Sequence, residues 1–234
     1  METRINKYLS EAGYCSRREA DRLLEEGRIT INGRVPEIGT KVTFGDVVKV
    51  DGKPIRKNQE FTYLIYNKPI GVTSTTDQTD PTNIVDAIGY KERIFHIGRL
   101  DKDSEGLIIM TNDGDIVNKI LRTENNHEKE YIVTVHKPVT KKFLHEMATG
   151  VPILDTVTKP CKVKKLGVHT FSITLTEGLN RQIRRMCSYF EYRVMNLKRI
   201  RIMHLPLDID TGEYRELTLE EEKTLKKMVR ESRK

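Results

Sequence analysis

The chain has 234 residues, with 41 Lys and Arg against 34 Asp and Glu, a formal charge of +7. That length admits one large domain or a small one joined to a medium one. The modest positive excess permits a polyanionic partner without requiring one. Three cysteines in no C-x-x-C spacing argue against a disulfide framework or a zinc site and fit a reducing compartment. No apolar run reaches membrane-spanning length and no apolar N-terminal leader is visible, so the expectation is a cytoplasmic protein without a membrane partner.

From Arg4 to Glu11, the residues Ile5, Tyr8, Leu9 and Ala12 fall on one helical face, and Gly13 stops the helix. Ser16-Arg17-Arg18-Glu19 has capping-box form, Ser16 accepting from the backbone while Glu19 reaches back. The helix it opens buries Ala20, Leu23 and Leu24 and ends at Gly27. Ile29 and Ile31 alternate into Asn32-Gly33, a hairpin signal, and residues 45–52 supply a further strand and turn. Residues 1–58 thus read as a domain of two helices and a short sheet, close to the smallest size that folds alone. Arg4, Lys7, Arg17, Arg18 and Arg22, with Lys41 near, suit phosphate contacts through counterion release. Glu11, Glu19, Asp21, Glu25 and Glu26 dilute that charge, and an ordinary solvated face is the alternative. The stretch R-I-N-K-Y-L-S-E-A-G-Y-C-S-R-R-E-A-D-R-L-L-E-E-G-R-I-T-I-N-G resembles the S4 domain, a small RNA-binding module. The resemblance implies that Arg17, Arg18 and the neighbouring basic residues touch RNA.

Arg56-Lys57-Asn58-Gln59-Glu60 is polar and aperiodic, which places a domain boundary there and a second domain over 61–234. Phe61–Tyr66 is a strand candidate, and Asn67 to Ser74 turns back with Pro69 and Gly71 fixing the bend. A polar loop over Thr75–Thr82 and a short helix over Ile84–Ile88 follow. Further on come a helix over 115–121, an alternating strand over Lys129–Val135, a Thr140-capped helix ending at Gly150, and a strand over Thr170–Thr176. Strands arriving both in runs and between short helices argue an α+β fold.

Two stretches carry chemistry. In residues 96–110 an apolar run enters a turn that packs Arg99, Asp101 and Asp103 between Gly98 and Gly106, and a second apolar run leaves it. Asp101 stands at the bend of a loop between two strands, where a local turn role is the plain alternative. In residues 179–190, Ile183, Met186, Cys187 and Phe190 form one helical face, with Arg181, Arg184 and Arg185 on the other. Between Asn180 and His204 there are seven Lys and Arg and one acid, 7 − 1 = +6, nearly all of the formal excess. Such a cluster positions an anionic substrate rather than reading its sequence. No Walker A, G-x-G-x-x-G or G-x-S-x-G motif occurs, and the six histidines show no metal-ligand spacing.

K-P-I-G-V at Lys68, G-R-L-D-K-D-S-E-G-L at Gly98, K-E-Y at Lys129 and L-N-R-Q-I-R-R-M at Leu179 resemble, in this order, the pseudouridine synthases of the RsuA/RluB/RluE/RluF group, and most of all the RluF type, which acts on large-subunit ribosomal RNA. The resemblance implies a catalytic domain with a mixed, largely antiparallel sheet flanked by helices. It implies isomerisation of uridine in 23S ribosomal RNA, the base detaching at N1 and reattaching through C5, with a transfer RNA as a second candidate substrate. No atom is gained or lost, so neither cofactor nor metal is expected. Asp101 matches the catalytic aspartate, Arg184 the arginine paired with it, and Tyr131 the tyrosine that stacks on the base. Arg99 matches a residue that holds the place of the flipped-out nucleotide. Lys68, Lys129, Arg181 and Arg185 are expected to bind substrate, the partner to be a structured RNA hairpin, and the protein to be a monomer. Two other classes stay open: a non-catalytic RNA-binding or ribosome-assembly factor keeping this fold, and an S4-bearing tRNA enzyme of nucleotidyl chemistry, disfavoured because no ATP loop exists.

Overall fold

The apolar periodicities of the chain build three separate cores in the computed structural model, which describes residues 2–56 and 60–232. Lys57–Gln59, the middle of the expected boundary, lie outside the described residues. One compact unit comprises Met1–Thr62 with Tyr90–Ile94 and Asn112–Gly114, and the other comprises the rest.

The first unit runs β1 (Thr3–Arg4), α1 (Ile5–Glu11), α2 (Arg17–Glu25), β2 (Ile29–Ile31), β3 (Lys41–Val42), β4 (Val48–Val50) and β5 (Lys53–Pro54). Ile5 and Leu9 of α1 meet Ala20, Leu23 and Leu24 of α2 and the valines of β4 in one core. The cap of α2 is half of the expected box. Ser16 Oγ accepts from Glu19 N at 3.1 Å, but the Glu19 carboxylate turns to Arg22 Nε at 3.0 Å. Asn32 and Gly33 take the expected left-handed turn (φ 51° and 80°), yet only one bridge, Ile31 to Arg34, follows it. Pro36 cannot donate to a ladder, and β2 pairs instead with β4, to which Asn32 is tied by Val47 N at 2.9 Å.

The second unit runs β6 (Tyr63–Lys68), α3 (Ile84–Ile88), β7 (Phe95–Ile97), β8 (Glu105–Thr111), α4 (Ile116–Leu121), β9 (Lys129–Val135), α5 (Lys141–Thr149), β10 (Pro152–Ile153), β11 (Thr156–Val157), β12 (Lys162–Lys165), β13 (Thr170–Leu175), α6 (Gln182–Tyr189), β14 (Val194–Ile202), β15 (Leu205–Pro206), β16 (Tyr214–Glu216) and α7 (Leu219–Arg230). Its main sheet has the order β12-β13-β9-β14-β8-β6-β16, with β7 added to β8 and β15 to β14. Only β8 and β14 pair in parallel, so the sheet is mixed and largely antiparallel, with helices packed on it. The alternation of β9 buries Lys129, Tyr131, Val133 and Val135. The last three join a core with Phe143 and Met147 of α5 and Ile183 and Met186 of α6. A second core sets Ile65, Leu107 and Ile109 against Ile116 of α4 and Leu225 of α7, which a Thr218–Glu221 capping box opens.

Two readings change. The strand expected to end at Tyr66 continues through Lys68, because Asn67 and Lys68 still pair with Leu107 and Gly106 and are wholly buried. The nine residues of β14, read from sequence as a basic stretch, form the strand between β9 and β8. Gly106 makes that contact possible. Its φ is +110°, and a Cβ there would lie 2.3 Å from Arg199 O and 2.7 Å from Arg199 N. Backbone cannot yield like a side chain, so Gly106→Ala should destabilise the protein by more than about 3 kcal/mol, measured as a lowered urea midpoint at unchanged slope.

Candidate active site

Asp101 sits in the loop from β7 to β8, and the backbone of that loop is gripped from the turn after β6. Ser74 Oγ donates to Leu100 O at 2.7 Å and accepts from Leu100 N at 3.1 Å, while Gly71 N donates to Lys102 O at 2.8 Å. The turn is in turn shaped by Lys68, whose Nζ donates to Pro69 O at 2.8 Å and Val72 O at 2.9 Å. Burial pushes the Lys68 amine down to about 8. Lys68, expected to bind substrate, therefore stays inside the protein as the clamp of this turn.

The arginines come from the other direction, off the start of α6. Arg181 has left-handed backbone at the helix cap (φ 50°), and its Nη1 lies 3.2 Å from Asp101 Oδ2 while Nη2 lies 2.9 Å from Asp103 Oδ2. That bond holds the Asp103 carboxyl below the usual carboxylate range. One turn along α6, Arg184 Nη2 donates to Asp103 O at 2.8 Å and to Ser104 Oγ at 3.0 Å. The expected pairing of Arg184 with Asp101 is thus corrected: Arg181 at the cap reaches the Asp101 carboxylate, and Arg184 braces the loop three residues beyond. Arg185 folds back on Asn180, with Nε 3.0 Å from its carbonyl oxygen, and is absent from the cleft wall.

The cleft beside Asp101 has a volume of about 460 Å³, and Arg99, Lys129, Tyr131, Arg181, Arg184 and Arg199 are among its walls. Sequence reasoning brings Asp101, Arg99, Lys129, Tyr131, Arg181 and Arg184 here, and misses Arg199. Arg199 is 3% exposed, lies opposite Tyr131 in the β14–β9 register, and sets its guanidinium 5.9 Å from the Tyr131 ring centre. Its Nε donates to Leu107 O at 2.7 Å, whereas Nη2 is buried without a partner. The only signal for it in the sequence is the excess charge of residues 180–204. Lys129 is also buried, its side chain has no hydrogen bond or ion pair among the described residues, and its amine is pushed down by burial, and next by Arg199, to about 8. Glu177, another carboxylate of the cleft, is occupied by Lys159 N at 2.9 Å and Gln182 Nε2 at 2.7 Å. Among the described residues no group of three or more His, Cys, Asp and Glu side chains converges as a metal site would need.

In the first unit, Arg4, Arg17 and Arg18 are exposed with no side-chain partner among the described residues. Lys7 lies 3.3 Å from Glu11, and Arg22 is taken up by Glu19 and Glu26.

Residues 62–189 match the RNA pseudouridylate synthase family and residues 3–48 match the S4 domain. The chain belongs to the RNA pseudouridylate synthase family. The synthase is 57% identical over 222 residues to the dual-specificity RNA pseudouridine synthase RluF of Salmonella typhi, covering 94% of this chain and 77% of that one. It is 54% identical over 232 residues to the protein of the same name from Escherichia coli (strain K12), covering 98% and 80%. The ribosomal large subunit pseudouridine synthase B of Bacillus subtilis is 35% identical, with 95% of each chain covered. A crystal structure of a pseudouridylate synthase overlays with a TM-score of 0.69 at 26% identity, covering 96% of this chain and 99% of that one. These similarities bear out the resemblance to the RluF type read from the motifs. No helix among the described residues is long and apolar enough to cross a membrane.

Arg181 and Arg184 of the synthase should separate by experiment. Arg181 is exposed and touches only two carboxylates, so Arg181→Met should lower activity with little change in melting temperature. Arg184 is mostly buried and holds a backbone carbonyl and a hydroxyl. Arg184→Met should cost about 1.5–3 kcal/mol of stability as well, read by parallel thermal melts and single-turnover assays.

Proposed function

We propose that the synthase isomerises uridine within a 23S ribosomal RNA hairpin and also within a transfer RNA, with Asp101 acting at the sugar of the target nucleotide. Asp101 carries this reading: its carboxylate lines the cleft beside Tyr131 and meets a single arginine, whereas Asp103 is shared by two and Glu177 is bound to neighbours. Support for the RNA classes comes from the relatives, since the RluF proteins are dual-specificity synthases and the Bacillus subtilis protein is a large-subunit synthase.

A base that reacts at C5 and is cut from C1′ has to leave its stack to enter a cleft of this size. The carboxylate then either attacks C1′ or removes a proton from the sugar. In both cases the C1′–N1 electron pair departs with the base. The base turns and C5 bonds to C1′, either as the ester bond from the carboxylate to C1′ breaks or as the carboxylic acid returns its proton to the sugar; the C5 hydrogen then leaves as a proton, and N1 gains one. Tyr131, with its ring in the cleft wall, packs on the base, and its hydroxyl is the group placed to assist loss of the C5 proton. Arg99, exposed at the cleft, takes the space of the nucleotide in the helix, and Arg181 keeps the carboxylate aimed. Residues 1–58 and 61–234 act as separate domains of a cytoplasmic monomer, the S4 domain docking the RNA that the second domain modifies.

Asp101→Asn should abolish pseudouridine formation, by several powers of ten, while RNA affinity stays within a few fold. Single-turnover assays with a ribosomal RNA fragment and filter binding test this. A variant turning over at a tenth of the normal rate or better would mean that Asp101 is not the catalyst. The S4 role is tested separately by Arg17→Ala/Arg18→Ala. That double variant should bind RNA more weakly with a salt slope shallower by about two, while its rate at saturating RNA changes little.

A further inference from the structure

The cleft floor holds two mostly buried cations that no carboxylate among the described residues pairs with. Arg199 and Lys129 are 3% and 7% exposed, and both face the cleft. Arg199 Nη2 has no partner, and the Lys129 side chain has neither hydrogen bond nor ion pair, among the described residues. Lys68, which also lies near Arg199, is satisfied by two carbonyls. Burying a cation without a counter-charge costs stability, so the pair is explained by an anion that arrives with the substrate. The groups facing Lys129 are His127 from the loop before its strand, Tyr131 from the strand itself, Arg199 from β14, and Asp101, Arg99 and Glu177 from the cleft walls. Asp101 is held by Arg181 and Glu177 by Gln182, so neither is bonded to it.

Two anions enter with a nucleotide: its phosphates and, once C1′–N1 breaks, its base. Phosphates stay on the strand, near the exposed arginines Arg99 and Arg181. The base goes deeper, against the Tyr131 ring, where Arg199 is stationed at 5.9 Å. We propose that Lys129 and Arg199 form the site for the detached uracil anion, holding a carbonyl oxygen of the ring while it turns from N1 to C5. The inference rests on the Asp101 cleft being the site of isomerisation. It holds whichever part Asp101 plays, because the electron pair of the C1′–N1 bond leaves with the base in both. Charge placed in advance where charge develops is a large source of rate in a dry site.

The test compares uridine with 5-fluorouridine at the target position, in saturating single-turnover assays at pH 7. Fluorine withdraws electron density and makes the base a better leaving group, less in need of stabilisation. Lys129→Met should slow loss of uridine about 100-fold but slow loss of 5-fluorouridine about 10-fold or less. Its melting temperature should be no lower than that of the wild type, since an unpaired buried cation has been removed. Arg199→Lys, which keeps a charge, should show the same substrate bias more weakly. Lys129 is a cation below about 8 and loses its proton above it, so the advantage of wild type over Lys129→Met should narrow as pH rises from 7 to 9. Equal losses on the two substrates would overturn the proposal. So would a loss confined to RNA affinity and relieved by low salt, which would assign the pair to a phosphate. Asp101→Asn should be inactive on both substrates; activity there would instead overturn the reading of the cleft itself.

Discussion

The crossing of β8 by β14 at Gly106 is the contact on which the catalytic domain turns. β14 pairs with β9 along one edge and with β8 along the other, and on the β8 side the register sets Arg199 against Gly106. The missing side chain at Gly106 is filled by the backbone of Arg199. The same residue projects its guanidinium to the Tyr131 ring on the next strand. One close backbone approach thereby joins the half of the sheet that carries Asp101 to the half that carries Tyr131, and sets the depth of the cleft between them.

Around that frame, the Asp101 loop is held by groups from two distant parts of the chain. The turn after β6 grips its backbone through Gly71 and Ser74, and α6 grips its side chains through Arg181 and Arg184. Lys68 acts one step back, since its ammonium closes the turn that does the gripping. Such anchoring suits the proposed role of the carboxylate at one atom of a sugar, where an ångström of drift costs orders of magnitude in rate. It also explains why neighbouring aspartates differ. Asp103 is enclosed by two guanidinium groups, and Asp101 keeps an oxygen for the cleft.

Charge is placed here against the interest of stability. Lys68 is buried with its ammonium bonded to two carbonyls, but the mostly buried Lys129 side chain has no hydrogen bond or ion pair among the described residues, and one nitrogen of Arg199 is buried without a partner. A core built for stability alone would carry apolar residues at such positions. Violations of local rules concentrated in one cleft are the mark of a functional site, and the surrounding cores, with their aromatic packing around Phe143, supply the stability that offsets them.

Much of the fold was legible in the chain itself. The helices of the S4 domain, the alternation of Lys129–Val135, the Thr140 cap and the bend at Asp101 follow from periodicity and capping, which act over a few residues. The family followed from four motifs in order. What stayed hidden depends on partners far along the chain. Lys68 read as a substrate contact because its burial comes only from strands β6 and β8 meeting. The resemblance paired Arg184 with Asp101, and spacing on a helix does not say which of two arginines on one face reaches across a loop. Arg199 was lost within a run of positive charge, since in β14 neither its burial nor its place opposite Tyr131 is encoded nearby. The sequence by itself determined many of the elements and the reaction family; only the tertiary structure decided which cations lie at the Asp101 carboxylate, because a charge is assigned its work by what lies within a few ångströms in space.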